Sequence, residues 1–378
     1  MTALVGASVL AGDAWLTEHA IIVAGGVIKA IVATADVPSE CSVNRLHGGM
    51  LIPGFIDTQV NGGGGVLFND TPTVAVIEAI ARAHRAFGTT ALLPTLISDD
   101  LDVIATAISA VDEAIDAGVP GVIGIHIEGP FLNAGKRGIH DASKFRTLDD
   151  GAVALLSSLK HGKTLVTLAP ELSPPGAIRA LVERGVIVAA GHTLATYEDM
   201  VRAVDEGLSG VTHLFNAMTP LDSRAPGVVG AAFDLDLTCG IIVDGHHVHP
   251  ATLRAAYHVK GAAGLMLVTD AMPTVGSDLA AFTLGNAVIT AQDDTLRSAD
   301  GTLAGSQLDM ASAVRNAVSM MQIDLASASE MASVTPAAFL GLSARYGRLA
   351  PGLSADIVHL ADDCDVRAVW IAGKPFIG

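Results

Sequence analysis

From residue 51 to about residue 272 one pattern repeats: a short apolar, β-rich run, then a longer segment with helical spacing. The runs are 51–57 (LIPGFID), 89–95 (TTALLPT), 122–128 (VIGIHIE), 165–171 (LVTLAPE), 186–192 (VIVAAGH), 210–215 (GVTHLF), 240–245 (GIIVDG) and 265–270 (LMLVTD). Strands this continuously apolar must be covered on both faces, which is the condition of a parallel sheet flanked by helices. Segments 73–88 (TVAVIEAIARAHRAFG) and 196–207 (TYEDMVRAVDEG) place apolar residues three and four apart and end in Gly, as helices do. Eight such units predict a (β/α)8 TIM-like barrel with its chemistry at the C-terminal strand ends. An open doubly wound sheet is the rival. It would concentrate its site at one switch point, whereas here most runs end in a polar residue.

The two ends of the chain read differently. Residues 3–50 carry short alternating stretches broken by Gly pairs, such as AIIVAGGVIKAIVA, and RLAPGLSADIVHLADDCDVRAVWIAGKPF near the C-terminus has the same character. The expected organisation is a small β-sandwich domain built from residues 1–52 and 346–378, enclosing a catalytic barrel at 53–345. A formal net charge of −17 argues against a nucleic-acid partner, because no basic stripe is available to displace counterions. It leaves room for a small anionic substrate, whose binding is decided by a few local cations. No run approaches about 18 uninterrupted apolar residues, so no membrane span is expected. Cys41, Cys239 and Cys364 are far apart and odd in number, which reads as free thiols in a reducing, cytoplasmic compartment.

Four residues stand at or near the ends of four different runs: Glu128 in IEGPF, His192 in AGHT, His213 in THLFNAM and Asp270 in VTDAM. Any one alone is best read as a hydrogen-bonded residue at a strand end. On a barrel all four converge on one mouth. Glu plus two His is a ligand set for a catalytic zinc ion with a coordination position left open. A neighbouring carboxylate can then accept a proton from the activated water.

The motifs PGFID (53–57), HIEGPF (126–131), GHT (191–193), THLFNAM (212–218), TDAM (269–272) and LAGS (303–306) together resemble the N-acetylglucosamine-6-phosphate deacetylase family of the amidohydrolase superfamily. So does the ending GRLAPGLSADIVHL (347–360). The resemblance spans nearly the whole chain. It implies a homodimer that hydrolyses N-acetylglucosamine 6-phosphate to glucosamine 6-phosphate and acetate, with one divalent ion per subunit and zinc as the expected ion. By the same resemblance Glu128, His192 and His213 are metal ligands, Asp270 is the general base and later acid, and His140 holds and polarises the acetamide carbonyl. Gln59, Ile139, Asn216, Ala217, Arg224, His247, Leu303, Ala304 and Gly305 are implied substrate contacts, Arg224 and His247 being the cations suited to the phosphate. Two further readings stay open on the sequence. One is an amidohydrolase acting on a cyclic amide or N-acyl amino acid; the other is a catalytically dead scaffold.

Within IDTQVNGGGG (56–65) Gln59 and Asn61 occupy positions where related metal hydrolases carry His-x-His. Amides are poor transition-metal ligands beside imidazole, so one tightly held ion is expected, with Asp57 structural. The expectation for His126, mid-run, is a satisfied core histidine. The cluster His246-His247-Val248-His249 has no evident acidic partner, and Gly62 to Gly65 read as a close-packed turn. The segment 130–145 is the expected lid.

Overall fold

The computed structural model describes residues 1–285 and 287–376. Eight parallel strands follow one another in order around a barrel: Phe55–Val60, Thr89–Ile97, Gly124–Glu128, Lys163–Leu168, Ile187–Ala190, Gly210–Val211, Thr238–Ile241 and Leu265–Leu267. The first and last strands are joined at the mouth. There Asp270 N–H donates to Gln59 O (3.0 Å) and Asn61 N–H to Ala271 O (2.9 Å). The helices form where the spacing places them. Val74–Arg85 starts on a Thr73 cap, and Tyr197–Asp205 on a capping box between Thr196 and Asp199. Their buried faces, with those of the other helices, close a continuous apolar layer around the strands.

The sequence run 51–57 is two elements. Met50–Pro53 pairs with the small domain, and after Gly54 the chain begins the first barrel strand, which continues past Asp57 to Val60. Gly54 allows the break because it lies against the second strand: a Cβ there would stand 2.1 Å from Thr90 Oγ1. Runs six and eight are also shorter as strands than as apolar sequence. Each leaves the ladder before its functional residue, His213 or Asp270, which sits on an irregular turn at the mouth.

Both chain ends build the small β-domain. One sheet of four holds Thr2–Val5, His19–Ala24, Val27–Ala33 and Ser42–Arg45. A sheet of six joins Ser8–Ala11, Ala14–Leu16 and Met50–Pro53 to Ile357–Leu360, Val366–Ile371 and Lys374–Phe376 along one seam, between Met50–Pro53 and Ile357–Leu360. Leu4, Val9, Ile21, Ile28, Leu51, Ile357 and Trp370 fill the space between them. A further three-stranded sheet, Ala281–Leu284, Ala287–Gln292 and Thr295–Arg297, follows the eighth barrel strand and packs over the rim on Leu67, Ile97 and Met272. The sequence reading did not anticipate it. Among the described residues no helix is long and apolar enough to cross a membrane.

Candidate active site

Beneath the mouth a layer of buried polar side chains is linked by hydrogen bonds. His126, buried, sets Nε2 2.8 Å from Thr167 Oγ1, and Thr167 Oγ1 lies 2.6 Å from Thr212 Oγ1. Burial pushes the His126 imidazole down to about 4, with the Glu128 charge only partly opposing, so it is neutral. This layer fixes strands three, four and six immediately under their functional ends.

Above it three donors converge. Glu128 Oε1 is 3.2 Å from His192 Nε2 and 3.0 Å from His213 Nε2, and the two ring nitrogens are 3.0 Å apart. His192 Nδ1 donates to Lys136 O at 2.8 Å, which places its proton on the far side and turns the Nε2 lone pair inward. A carboxylate oxygen and two ring nitrogens this close, all nearly excluded from water, repel one another unless a proton or cation sits among them. The donor set therefore fits a divalent cation. Burial would raise the Glu128 carboxyl, but the His192 and His213 hydrogen bonds and charges outweigh it and hold the group well below its usual range. His140 stands beside the cluster, its ring centroid 4.3 Å from that of His192, and its donor atoms with those of Glu128 and His192 lie within 4.8 Å of one another. Burial and the adjacent His192 hold its imidazole well below the ordinary value.

Asp270 faces this cluster across a cavity of about 390 Å³. The two amides at the end of strand one hold it. Gln59 Nε2 donates to Asp270 Oδ1 and to Glu128 Oε2, both at 3.1 Å, and Asn61 Nδ2 donates to Asp270 Oδ1 at 2.6 Å. In this chain the slots that could hold imidazole ligands therefore carry neutral donors that space two carboxylates. Burial, reinforced by the Glu128 charge, raises the Asp270 carboxyl to about 6. His192 (φ 48°), His213 (φ 31°) and Asp270 (φ 53°) all sit in the left-handed backbone region. Such residues cost of order 1–3 kcal/mol each and persist where surrounding structure imposes them, typically at functional sites.

The cavity is also lined by Ile139, Asn216, Ala217, His247, Leu303 and Gly305. Ala304 between the last two is fully buried, packed into the apolar cluster of the rim sheet. Arg224 is exposed and outside the cavity of its own chain. The His246–His249 stretch has an acidic partner that the sequence reading missed. Asp244 accepts from the His246 and His247 N–H groups, each at 2.9 Å, and pairs with His247 Nδ1 at 2.6 Å. Glu171 accepts from Asn133 Nδ2, Leu194 N and the Thr193 hydroxyl, tying the turn after His192 to the 130–145 segment. Arg297, on the rim sheet, lines the cavity and was not singled out from sequence.

A parallel barrel that gathers two histidines and a glutamate at one mouth, opposite an aspartate on the turn after strand eight, defines a metal-dependent hydrolase. The amidohydrolase family model matches residues 50–376 and the NagA composite domain model matches residues 1–51, and the chain belongs to the amidohydrolase family. It is 48% identical over 363 residues to N-acetylgalactosamine-6-phosphate deacetylase of Shewanella sp. (strain ANA-3), covering 95% of this chain and 92% of that protein. It is 33% identical over 362 residues to N-acetylglucosamine-6-phosphate deacetylase of Haemophilus influenzae, covering 95% of each. The crystal structure of N-acetylglucosamine-6-phosphate deacetylase from Pasteurella multocida superposes with a TM-score of 0.97 at 34% identity, covering 100% of both chains.

Proposed function

We propose that this enzyme hydrolyses the acetamide of an N-acetylhexosamine 6-phosphate, releasing acetate and the amino sugar phosphate, with N-acetylglucosamine 6-phosphate as the substrate. The observation that carries the reading is the convergence of Glu128, His192 and His213 opposite Asp270 in one cavity. The relatives on both sides of the comparison bear names of this reaction. The 48% identical relative is named for the galactosamine epimer, which supports N-acetylgalactosamine 6-phosphate as a second substrate reading. Cyclic-amide hydrolysis and a dead scaffold are not favoured.

When bound by Glu128, His192 and His213, a divalent cation, with zinc as our reading, supplies Lewis acidity to the amide carbonyl and to water. The protein's own groups do the rest. Asp270 takes the proton of the attacking water and returns it to the leaving nitrogen. Both amides, Gln59 and Asn61, bind its Oδ1, which leaves Oδ2 for proton transfer. His140 Nδ1 lies 2.7 Å from Ser98 Oγ and 3.4 Å from Ser98 N; with both Ser98 groups donating to Nδ1, the neutral ring carries its proton on Nε2 and can donate to the acetamide carbonyl. Asn216, Ala217 and His247 meet the phosphate end, with Arg224 reaching it from the second subunit of a homodimer. The free thiols and the metabolic relatives support a cytoplasmic location. Acetate release from phosphorylated and unphosphorylated N-acetylglucosamine and N-acetylgalactosamine, with and without chelator, tests the reading. Release mainly from the phosphorylated sugars, abolished by chelator and restored by added metal, is expected. Equal turnover of the unphosphorylated sugars would refute it.

A further inference from the structure

Arg297 is the one lysine or arginine among the residues lining the cavity. It is not free to swing. Its Nε donates to Thr295 Oγ1 at 3.1 Å and its Nη1 to Gly301 O at 2.8 Å, so the planar guanidinium is held in place. Nη2 has no hydrogen-bond partner among the described residues. The turn that supplies Gly301 is itself fixed. Asp300 Oδ1 accepts from the Ser298 hydroxyl at 2.5 Å and from Thr302 N–H at 3.1 Å, and these bonds hold the Asp300 carboxyl down at about 2. A cavity-lining side chain anchored at two of its three nitrogens, with Nη2 unbonded, keeps a charged N–H group to offer a ligand.

The position on the rim says which part of the ligand. Asn216, Ala217 and His247 follow strands six and seven, on one side of the mouth. Arg297 ends the last strand of the sheet that follows strand eight and bridges to Leu303, and that sheet packs on the strand-one and strand-two side, against Leu67 and Ile97. With the acetamide over the histidines and the phosphate against Asn216, Ala217 and His247, Arg297 is the charged donor on the other part of the cavity lining that is left for a ring hydroxyl. Glucosamine and galactosamine derivatives differ only in the direction of the C4 hydroxyl, and the chain's relatives carry both names.

We infer that Arg297 is a specificity-determining residue, donating from Nη2 to a ring hydroxyl of the sugar and so setting which C4 epimer is turned over faster. The inference rests on the proposed deacetylation of N-acetylhexosamine 6-phosphates. The test compares kcat/KM for N-acetylglucosamine 6-phosphate and N-acetylgalactosamine 6-phosphate in the wild type, Arg297→Ala and Arg297→Lys. The ratio between epimers does not depend on the fraction of enzyme folded or metal-loaded, so it reads substrate contact alone. Loss of a hydrogen bond from a charged donor lowers kcat/KM for the better epimer about tenfold or more, against less than about threefold for the other. Arg297→Lys recovers little, lacking the anchored fork. An unchanged ratio, including one in which both epimers fall equally because Arg297 reads the phosphate, overturns the inference. Failure of the wild type to release acetate from either epimer overturns the proposed function, and this inference with it.

Discussion

Asp57 offers a test in which sign and size both follow from its surroundings. It is fully buried on the first barrel strand, below Gln59. Its Oδ1 accepts from Gln59 N–H at 3.2 Å and Thr269 N–H at 3.3 Å, and its Oδ2 accepts from the Thr269 hydroxyl at 2.5 Å. No cationic side chain pairs with it among the described residues. Burial raises its carboxyl from 3.8 to about 7, the hydrogen bonds opposing and the Asp270 charge adding to the rise. The folded protein therefore holds this proton where the unfolded chain has released it. The group's contribution to stability is complete below 3.8 and is lost as pH climbs through about 7. The interval corresponds to about 4 kcal/mol at about 1.4 kcal/mol per pH unit. Asp57→Asn removes the titration and keeps an oxygen for the two backbone donors. Any fixed cost of the swap is independent of pH and cancels when pH values are compared. For 378 residues the unfolding entropy is about 0.8 kcal/mol per degree, so 4 kcal/mol is about 5 °C. Circular-dichroism melts of both proteins from pH 4.5 to 8.5, which take in about 2.5 units of that interval, should show the variant gaining on the wild type by about 4 °C as pH rises. A gap that stays constant or closes with rising pH would refute the argument.

Three further outcomes concern the site. Asp270→Asn should keep its bound metal while turnover falls by about 10²–10⁴, since an amide cannot take the proton; near-normal turnover would place the base elsewhere. Because Gln59 and Asn61 donate to carboxylates instead of presenting imidazoles, elemental analysis should find about one tightly bound divalent ion per chain, and two equally tight ions would contradict the ligand count. Arg224→Ala should lower kcat/KM for the 6-phosphate substrate at least tenfold, on the scale of about 1.5–3 kcal/mol for a charge-assisted contact, and barely affect the unphosphorylated sugar. Mixing Arg224→Ala with Asp270→Asn subunits should restore part of the activity; no restoration with dimers intact would count against an arginine acting between subunits.

That Glu128, His192, His213 and Asp270 meet at one mouth was legible because a parallel barrel makes its strand ends conspicuous: an apolar run stops at a polar residue. The same signal misled about length. Apolar residues continue beyond the ladder at Leu214 and through Ile52 before Gly54, since burial, not strand pairing, is what an apolar run reports. Asp244 was overlooked as the partner of His247, although an aspartate two and three residues before two histidines is a local turn signal. The Asp244 side chain caps the N–H groups of both. Arg297 left no comparable trace. Its sheet is half exposed, and only the folded rim shows that one arginine of it turns to the cavity.

The joining of the two chain ends in the six-stranded sheet imposes an order on folding during synthesis. Met50–Pro53 pairs with Ser8–Ala11 on one side and with Ile357–Leu360 on the other, in the register Pro53 to Ile357 and Met50 to Leu360. His359 Nε2 reaches Gly48 O at 2.8 Å across 311 residues of sequence. Until the ribosome has delivered the last strands, the strand at Met50–Pro53 is an open edge able to pair with another nascent chain. All eight barrel strands, by contrast, precede residue 268 and can associate before then. The small domain is thus the last part of the molecule to close. A chain stopped before residue 357 would carry a complete set of barrel strands with an adhesive edge beside it, and would be lost to aggregation sooner than to lack of a catalytic centre.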